Sequence, residues 1–183
     1  MKLIFGTGNL AKISEAQTIL SDFEIQGLNI EIEEIQSLDP KKVAIRKAHD
    51  YFSIAKKPLF IEDVSLSFAG LNNLPGTYID AFMQSLGNKG ILNLMNSLTS
   101  RDAIALITLV YLDIKGVNHI FQSEMKGKIA IEERGDNGFG WDTIFIPTNQ
   151  PLTLGEMSLT GKNNYSMRAL ALRQFRDWLI KNP

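Results

Sequence analysis

Residues Lys2 to Leu20 read KLIFGTGNLAKISEAQTIL, and this stretch decides how the rest of the chain is read. Leu3-Ile4-Phe5 is a short apolar run bounded by glycine, the pattern of a buried strand. Gly6-Thr7-Gly8-Asn9 reads as a turn, since glycine accepts backbone angles closed to other residues. From Ala11 onward, Ile13, Ala16, Ile19 and Leu20 fall on one face of a helix. A strand, a glycine turn and a helix leave backbone N–H groups at the helix start, where the macrodipole favours negative charge. Lys12 falls in the first helical turn, a poor place for a cation unless an anion binds beside it. The opening therefore predicts a phosphate site.

Two other readings of the same residues stay open. A Walker loop is excluded, because its second glycine is missing and Lys12 is followed by Ile13 rather than Ser or Thr. Gly6-Thr7-Gly8-Asn9-Leu10-Ala11 does fit the loose G-x-G-x-x-A dinucleotide fingerprint, with Glu31 and Glu33 where a ribose-binding acid is expected. The glycines also suit a tight turn with no ligand.

With 183 residues the chain is long enough for one domain with a substantial core, here expected as a single domain with two lobes. A net charge of −1 argues against bulk nucleic-acid or membrane-surface binding. The absence of cysteine excludes disulfides and thiolate metal sites. Ala103–Leu112, the longest apolar run, is too short to span a bilayer. Met1-Lys2 leads directly into the first strand with no room for a signal peptide, so a cytoplasmic protein is expected.

Leu28, Ile30 and Ile32 alternate with Asn29, Glu31 and Glu33, predicting a second strand closed by Glu34. Asp39-Pro40 is an N-cap with a first-turn proline, opening an amphipathic helix through Ala55 with Lys47 on its flank. Pro58–Ile61 predicts a third strand closed by Glu62-Asp63. Leu74-Pro75-Gly76 is a turn, a helix from Tyr78 stops near Gly87, and Ile91–Met95 suggests another short helix. Ala103–Ile114 and Asn118–Ile131 predict a long hairpin, with a bulge at Gly127. Arg134–Gly140 reads as a polar loop, Asp142–Ile146 as a short strand, and Asn164–Ile180 as a helix with Leu170, Leu172, Phe175, Trp178 and Leu179 on its apolar face. The order predicts an α/β fold with a mixed central sheet flanked by helices.

Glu34 and Asp63, at the carboxyl ends of the second and third strands on the same edge as the Gly6–Asn9 turn, make a hard-oxygen pair suited to Mg²⁺. Gly138-Phe139-Gly140-Trp141-Asp142 places aromatic faces where a base can stack, although Phe139 and Trp141 suit a core as well. Lys162 and Arg168 flank the start of the last helix as candidate cations for phosphate or base carbonyl oxygens. His49 and His119 lack partners at metal spacing and read as structural.

Taken together, Thr7-Gly8-Asn9-Leu10-Ala11-Lys12-Ile13-Ser14-Glu15 resembles the T-G-N-x-x-K-x-x-E signature of the inosine triphosphate pyrophosphatase family. Glu34-Ile35-Gln36, Glu62-Asp63-x-Ser65-Leu66, Leu74-Pro75-Gly76-x-Tyr78-Ile79, Arg134-Gly135, Phe139-Gly140-Trp141-Asp142-x-Ile144-Phe145, Glu156-Met157, Lys162-Asn163 and Ser166-x-Arg168 follow in family order. The resemblance covers nearly the whole chain and displaces the dinucleotide reading. It implies two lobes around a nucleotide cleft, usually in a homodimer, and hydrolysis of non-standard purine nucleoside triphosphates (ITP, dITP, XTP) to monophosphate and pyrophosphate. It assigns Thr7, Gly8, Asn9 and Lys12 to the triphosphate, with Lys12 also catalytic, and Glu34 and Asp63 to Mg²⁺. Asp63 also becomes the general base. Phe139, Gly140, Trp141 and Asp142 hold the base, and Lys162, Met167 and Arg168 close around base and phosphates. The alternative is a non-catalytic nucleotide-binding protein that keeps the fold.

Three residues depart from the family pattern. Met167 stands where the family has histidine before the arginine, Val64 where a small hydroxyl residue follows the aspartate, and Thr143 where proline is usual. The phosphate and metal parts are retained and the base-reading part is altered, which predicts a weakened or shifted base preference.

Overall fold

The computed structural model describes residues 2–182. The chain alternates strands β1 (Lys2–Gly6), β2 (Glu24–Leu28), β3 (Leu59–Phe68), β4 (Pro75–Gly76), β5 (Asp102–Leu112), β6 (Asn118–Ile129) and β7 (Phe145–Pro147) with helices. The helices are α1 (Leu10–Ile19), α2 (Pro40–Ala55), α3 (Ile79–Asn96), α4 (Leu159–Lys162) and α5 (Met167–Lys181). The strands hydrogen-bond in the order β2-β1-β3-β5-β6-β7, with β4 on β3. β1 is parallel to β2 and β3, whereas β4 and β7 run antiparallel to their partners, so the sheet is mixed as expected.

Contacts group the residues into two compact units. The first holds the chain up to Asp63, Ile107–Ser123 and the chain from Arg168; the second holds Val64–Leu106 and Glu124–Met167. In the first unit, alternation along the strands builds two cores. Leu3, Phe5, Phe60 and Leu109 pack with Ala16 and Leu20 of α1 and with Leu172, Phe175 and Leu179 of α5. Leu59, Ile61, Val110 and Leu112 pack with Ala44, Ala48 and Tyr51 of α2. Phe5 and Phe60 stack with centroids 4.3 Å apart, and burying each such ring is worth about 1.5–3 kcal/mol. In the second unit the core comes from the end of β3, from α3, and from the portions of β5, β6 and β7 it contains, including Phe68, Ile79, Ile91, Ala105, Ile129 and Phe145.

Several local signals act as read. Asp39 Oδ1 accepts from the backbone N–H groups of Lys41 and Lys42, with Pro40 opening α2. Gly87 interrupts α3 at φ +59°, ψ −178°, splitting it where the sequence predicts two helices. The Asp113–Val117 turn joins β5 to β6. His119 bonds Asp113 at 3.2 Å and stacks on Trp178, while His49 is exposed on α2.

Other boundaries differ. β2 ends at Leu28, because β1 offers no partner beyond Gly6, which pairs with Leu28. Ile30 and Ile32 still pack on the α2-side core, so their alternation reflects burial without a ladder. Glu34 therefore lies in an irregular segment rather than at a strand end. β3 continues to Phe68, placing Asp63 inside the strand rather than at its end. Residues Asp142–Ile144 form a 3-10 turn before β7, and α5 starts at Met167. Leu170 is exposed, with Ala169 and Ala171 taking the buried positions.

On its β7 side Gly127 pairs with Pro147 in a regular antiparallel register. A Cβ there would lie 2.7 Å from the buried Phe145 ring and against the carbonyl oxygen of Ile146. Gly127→Ala is expected to destabilise the protein by about 1–3 kcal/mol through overpacking, read as a lowered urea midpoint at unchanged slope.

Candidate functional site

The side chains of β3 explain how its two adjacent acids reach different partners. Phe60 faces α1 and α5, so Glu62, two residues on, faces the same way. Leu59 and Ile61 face α2, and Asp63 follows them.

On the α1 side Glu62 is 2% exposed and is gripped by Arg168. Arg168 donates from Nε to Oε1 at 3.1 Å and Oε2 at 3.0 Å, and from a terminal nitrogen to Oε1 at 2.8 Å. The other terminal nitrogen of Arg168 donates to Glu15 Oε2 at 2.8 Å. Lys12 Nζ approaches Glu62 Oε1 at 3.2 Å. Burial alone would raise the Glu62 pKa, but the charges and hydrogen bonds of Arg168 and Lys12 outweigh it and bring it to about 2. Glu62 and Glu15 in turn raise the pKa of the Arg168 guanidinium against the effect of burial.

This arrangement changes the reading of two cations. Lys12 does not stand in the first turn of α1 without a counter-charge: Glu62 supplies one from the neighbouring strand. Arg168 sits in a buried ion cluster between two carboxylates. The glycine turn is also organised by its own residues. Asn9 Oδ1 accepts from the N–H groups of Ala11 and Lys12, and Thr7 Oγ1 accepts from the Asn9 N–H. Gly8 lies close to Asn29, whose side chain would stand 2.7 Å from a Cβ placed there.

On the α2 side Lys47 joins the two predicted metal ligands. Its Nζ lies 2.5 Å from Glu34 Oε1 and 3.9 Å from Asp63 Oδ1. Burial lowers the Lys47 pKa, but the hydrogen bond and charge of Glu34 with the charge of Asp63 outweigh it, for a net rise. The irregular segment after β2 thus brings Glu34 to the same lysine that Asp63 approaches.

The sequence reading places Lys47 on a helix flank, and Lys47 is the clearest functional residue it misses. Ala44, Lys47, Ala48 and Tyr51 follow the i, i+3, i+4, i+7 spacing of one helix face. A lysine inside the buried stripe of α2 was the available signal.

In the second unit the aromatic loop closes on Asp142. Asp142 Oδ2 accepts from the Phe139 N–H at 2.8 Å and from Lys162 Nζ at 2.8 Å. Asp142 is 5% and Lys162 3% exposed, so this is a buried ion pair. Lys162 Nζ also lies 5.0 Å from the Phe139 ring centroid, within cation–π range. Trp141 packs on Phe145 with centroids 5.4 Å apart. Gly138 and Gly140 have φ of +79° and +63°, and a Cβ on Gly138 would strike the Asp142 carboxylate. Met167 is buried at the start of α5. Lys162 and Asp142, expected as separate contacts to a ligand, are thus partners of each other.

The Ham1 family model matches residues 3–178. The inosine triphosphate pyrophosphatase of Saccharomyces cerevisiae is 35% identical over 193 residues, covering 99% of this chain and 97% of its own length. The dITP/XTP pyrophosphatase of Methanopyrus kandleri is 34% identical over 184 residues, covering 100% of this chain and 98% of its own. The structure of a HAM1 protein from Coxiella burnetii matches with a TM-score of 0.86 at 26% identity, covering 99% of each chain. The likeness runs through both units and bears out the resemblance drawn from the motifs: the chain belongs to the Ham1 family.

Proposed function

We propose that this protein hydrolyses non-standard purine nucleoside triphosphates (ITP, dITP and XTP) to the monophosphate and pyrophosphate. The observation that carries the reading is likeness along almost the full chain to proteins named for ITP and dITP/XTP pyrophosphatase activity. The acid pair gathered by Lys47 gives that reading a place for the chemistry.

Glu34 and Asp63 fit Mg²⁺ as hard-oxygen donors already brought to one cationic group. Among the described residues no group of three or more His, Cys, Asp or Glu stands at metal spacing. Few protein ligands, with water and phosphate oxygens completing the shell, is the usual habit of this ion. When bound, Mg²⁺ would neutralise charge on the phosphates.

The chain's own residues do the rest. The Thr7–Asn9 turn and Lys12 orient the triphosphate, with Lys12 held in place by Glu62 and Arg168 behind it. Lys47 keeps Glu34 and Asp63 together. Asp63 takes the proton of the attacking water as the bond between the α- and β-phosphates breaks and pyrophosphate leaves. Positioning and charge neutralisation of this kind supply most of the catalysis in phosphoryl transfer. Phe139, Gly140, Trp141, Asp142 and Lys162 hold the base. The protein acts as a homodimer in the cytoplasm, as the resemblance implies. Among the described residues no helix is long and apolar enough to cross a membrane.

Met167 has a thioether where a donor to a purine 6-keto oxygen would stand. A lost hydrogen bond of this kind costs about 1–3 kcal/mol, so discrimination in favour of inosine and xanthine is weakened. The test is pyrophosphate release from dITP, XTP, dATP and dGTP, with Mg²⁺ and with chelator. Metal-dependent release with monophosphate as co-product, and a flattened base ranking, are expected. An undiminished preference for dITP and XTP overturns the base-preference claim. Nucleotide binding without turnover on any substrate would instead favour a non-catalytic binding protein.

A further inference from the structure

The break in α3 has a counterpart in the aromatic loop of the same unit. Immediately after Gly87, the Asn88 side chain reaches three groups of that region. Asn88 Nδ2 lies 3.0 Å from the Gly140 carbonyl oxygen, 3.0 Å from Thr143 Oγ1 and 3.2 Å from Glu133 Oε2. Thr143 Oγ1 donates to the same Glu133 oxygen at 3.2 Å. The polarity of this network is determined by its members. A carbonyl and a carboxylate only accept, so the amide nitrogen of Asn88 must face them. One amide hydrogen serves the Gly140 carbonyl and the other is shared by Glu133 and the Thr143 hydroxyl, which keeps its own hydrogen for Glu133.

Gly140 lies between Phe139 and Trp141 at φ +63°. Nothing stands within 4 Å of the position its Cβ would take, so side-chain packing does not hold it there. Glycine populates many backbone conformations and needs an external contact to select one. Its carbonyl has that contact in Asn88. We propose that Asn88, backed by Glu133 and Thr143, is a positioning residue that sets the Phe139–Trp141 loop through the Gly140 carbonyl, and so sets affinity for the base. The effect on affinity rests on the assignment of that loop to the base; the effect on the loop does not.

The deciding variant is N88D, which preserves shape and replaces the donating amide by a carboxylate facing the Gly140 carbonyl and Glu133. A space-filling role predicts wild-type behaviour for this isostere. The positioning role predicts a rise in KM for dITP of about tenfold or more, with kcat within about threefold, in the Mg²⁺-supplemented enzyme. N88A, which deletes the donor without adding repulsion, should fall between N88D and wild type. Adding E133Q to N88D replaces one facing carboxylate by an amide that can donate, and should recover at least half of the loss on a logarithmic scale. Fluorine NMR of protein labelled with 5-fluorotryptophan reads the loop directly, since the chain has two tryptophans, Trp141 and Trp178. The Trp141 resonance should shift or broaden in nucleotide-free N88D while that of Trp178 stays in place. If N88D does not fold, T143V, which removes only the hydroxyl link, should move the same two readouts by a smaller amount. Wild-type KM and an unmoved Trp141 resonance in folded N88D and N88A would overturn the proposal. If the wild-type Trp141 resonance ignores a non-hydrolysable ITP analogue, the base assignment fails, and the nucleotide-free spectra still decide whether Asn88 holds the loop.

Discussion

Asp63→Asn lowers kcat for pyrophosphate release by about a thousandfold or more, the scale expected when a general base is removed, and leaves the fold intact. The substitution preserves the size and shape of the side chain inside β3. It removes the negative charge that an ion would coordinate and the basic oxygen that would take a proton from water. Lys47 keeps its closer partner, Glu34, at 2.5 Å, so no lone buried cation results. The strand ladder and the apolar residues on either side, Ile61 and Leu66, are unchanged. Circular dichroism and a thermal melt close to wild type, beside activity at the detection limit, are the expected pair of results. An active Asp63→Asn protein would refute the role assigned to this carboxylate.

Glu62→Gln, one residue away, has the opposite profile, with a large effect on stability. Glu62 is the acceptor shared by Arg168 and Lys12 in a buried cluster. Removing one partner from a buried ion pair typically costs about 3–5 kcal/mol, because the remaining charge stays desolvated. Urea unfolding at neutral pH should show a loss of this order. Acid adds a second readout. The folded-state pKa of Glu62 lies near 2, below its ordinary 4.5, so folding favours the ionised form. The stabilisation is fully present above pH 4.5 and is lost as pH falls through the folded-state value near 2. By linkage this amounts to about 3 kcal/mol. Wild-type stability should therefore fall more steeply than that of Glu62→Gln across this window. Parallel pH curves for the two proteins would show that the cluster does not carry the acid sensitivity.

What was legible in the sequence was local. The strand, glycine turn and helix from Lys2 to Leu20, the Asp39-Pro40 start of α2, the break at Gly87 and the β5–β6 hairpin all appear as read. Each depends on residues within a few positions of one another, through side-chain periodicity, caps and glycine conformation. The ordered motifs were equally legible, since residue types and spacing need no structure to be compared. Partner choice was decided only by the tertiary structure. A charge inside a strand is costly in isolation, so Glu62 and Asp63 read as a strand end. The strand runs through them because Arg168, 106 residues later, reaches Glu62 from α5, and Lys47 reaches Asp63 from α2. Glu34 likewise meets Lys47 only because the chain leaves the sheet after Leu28, where β1 has ended. Periodicity reports which face a residue turns to the interior, while which charge waits there is decided by the packing of elements far apart in the chain.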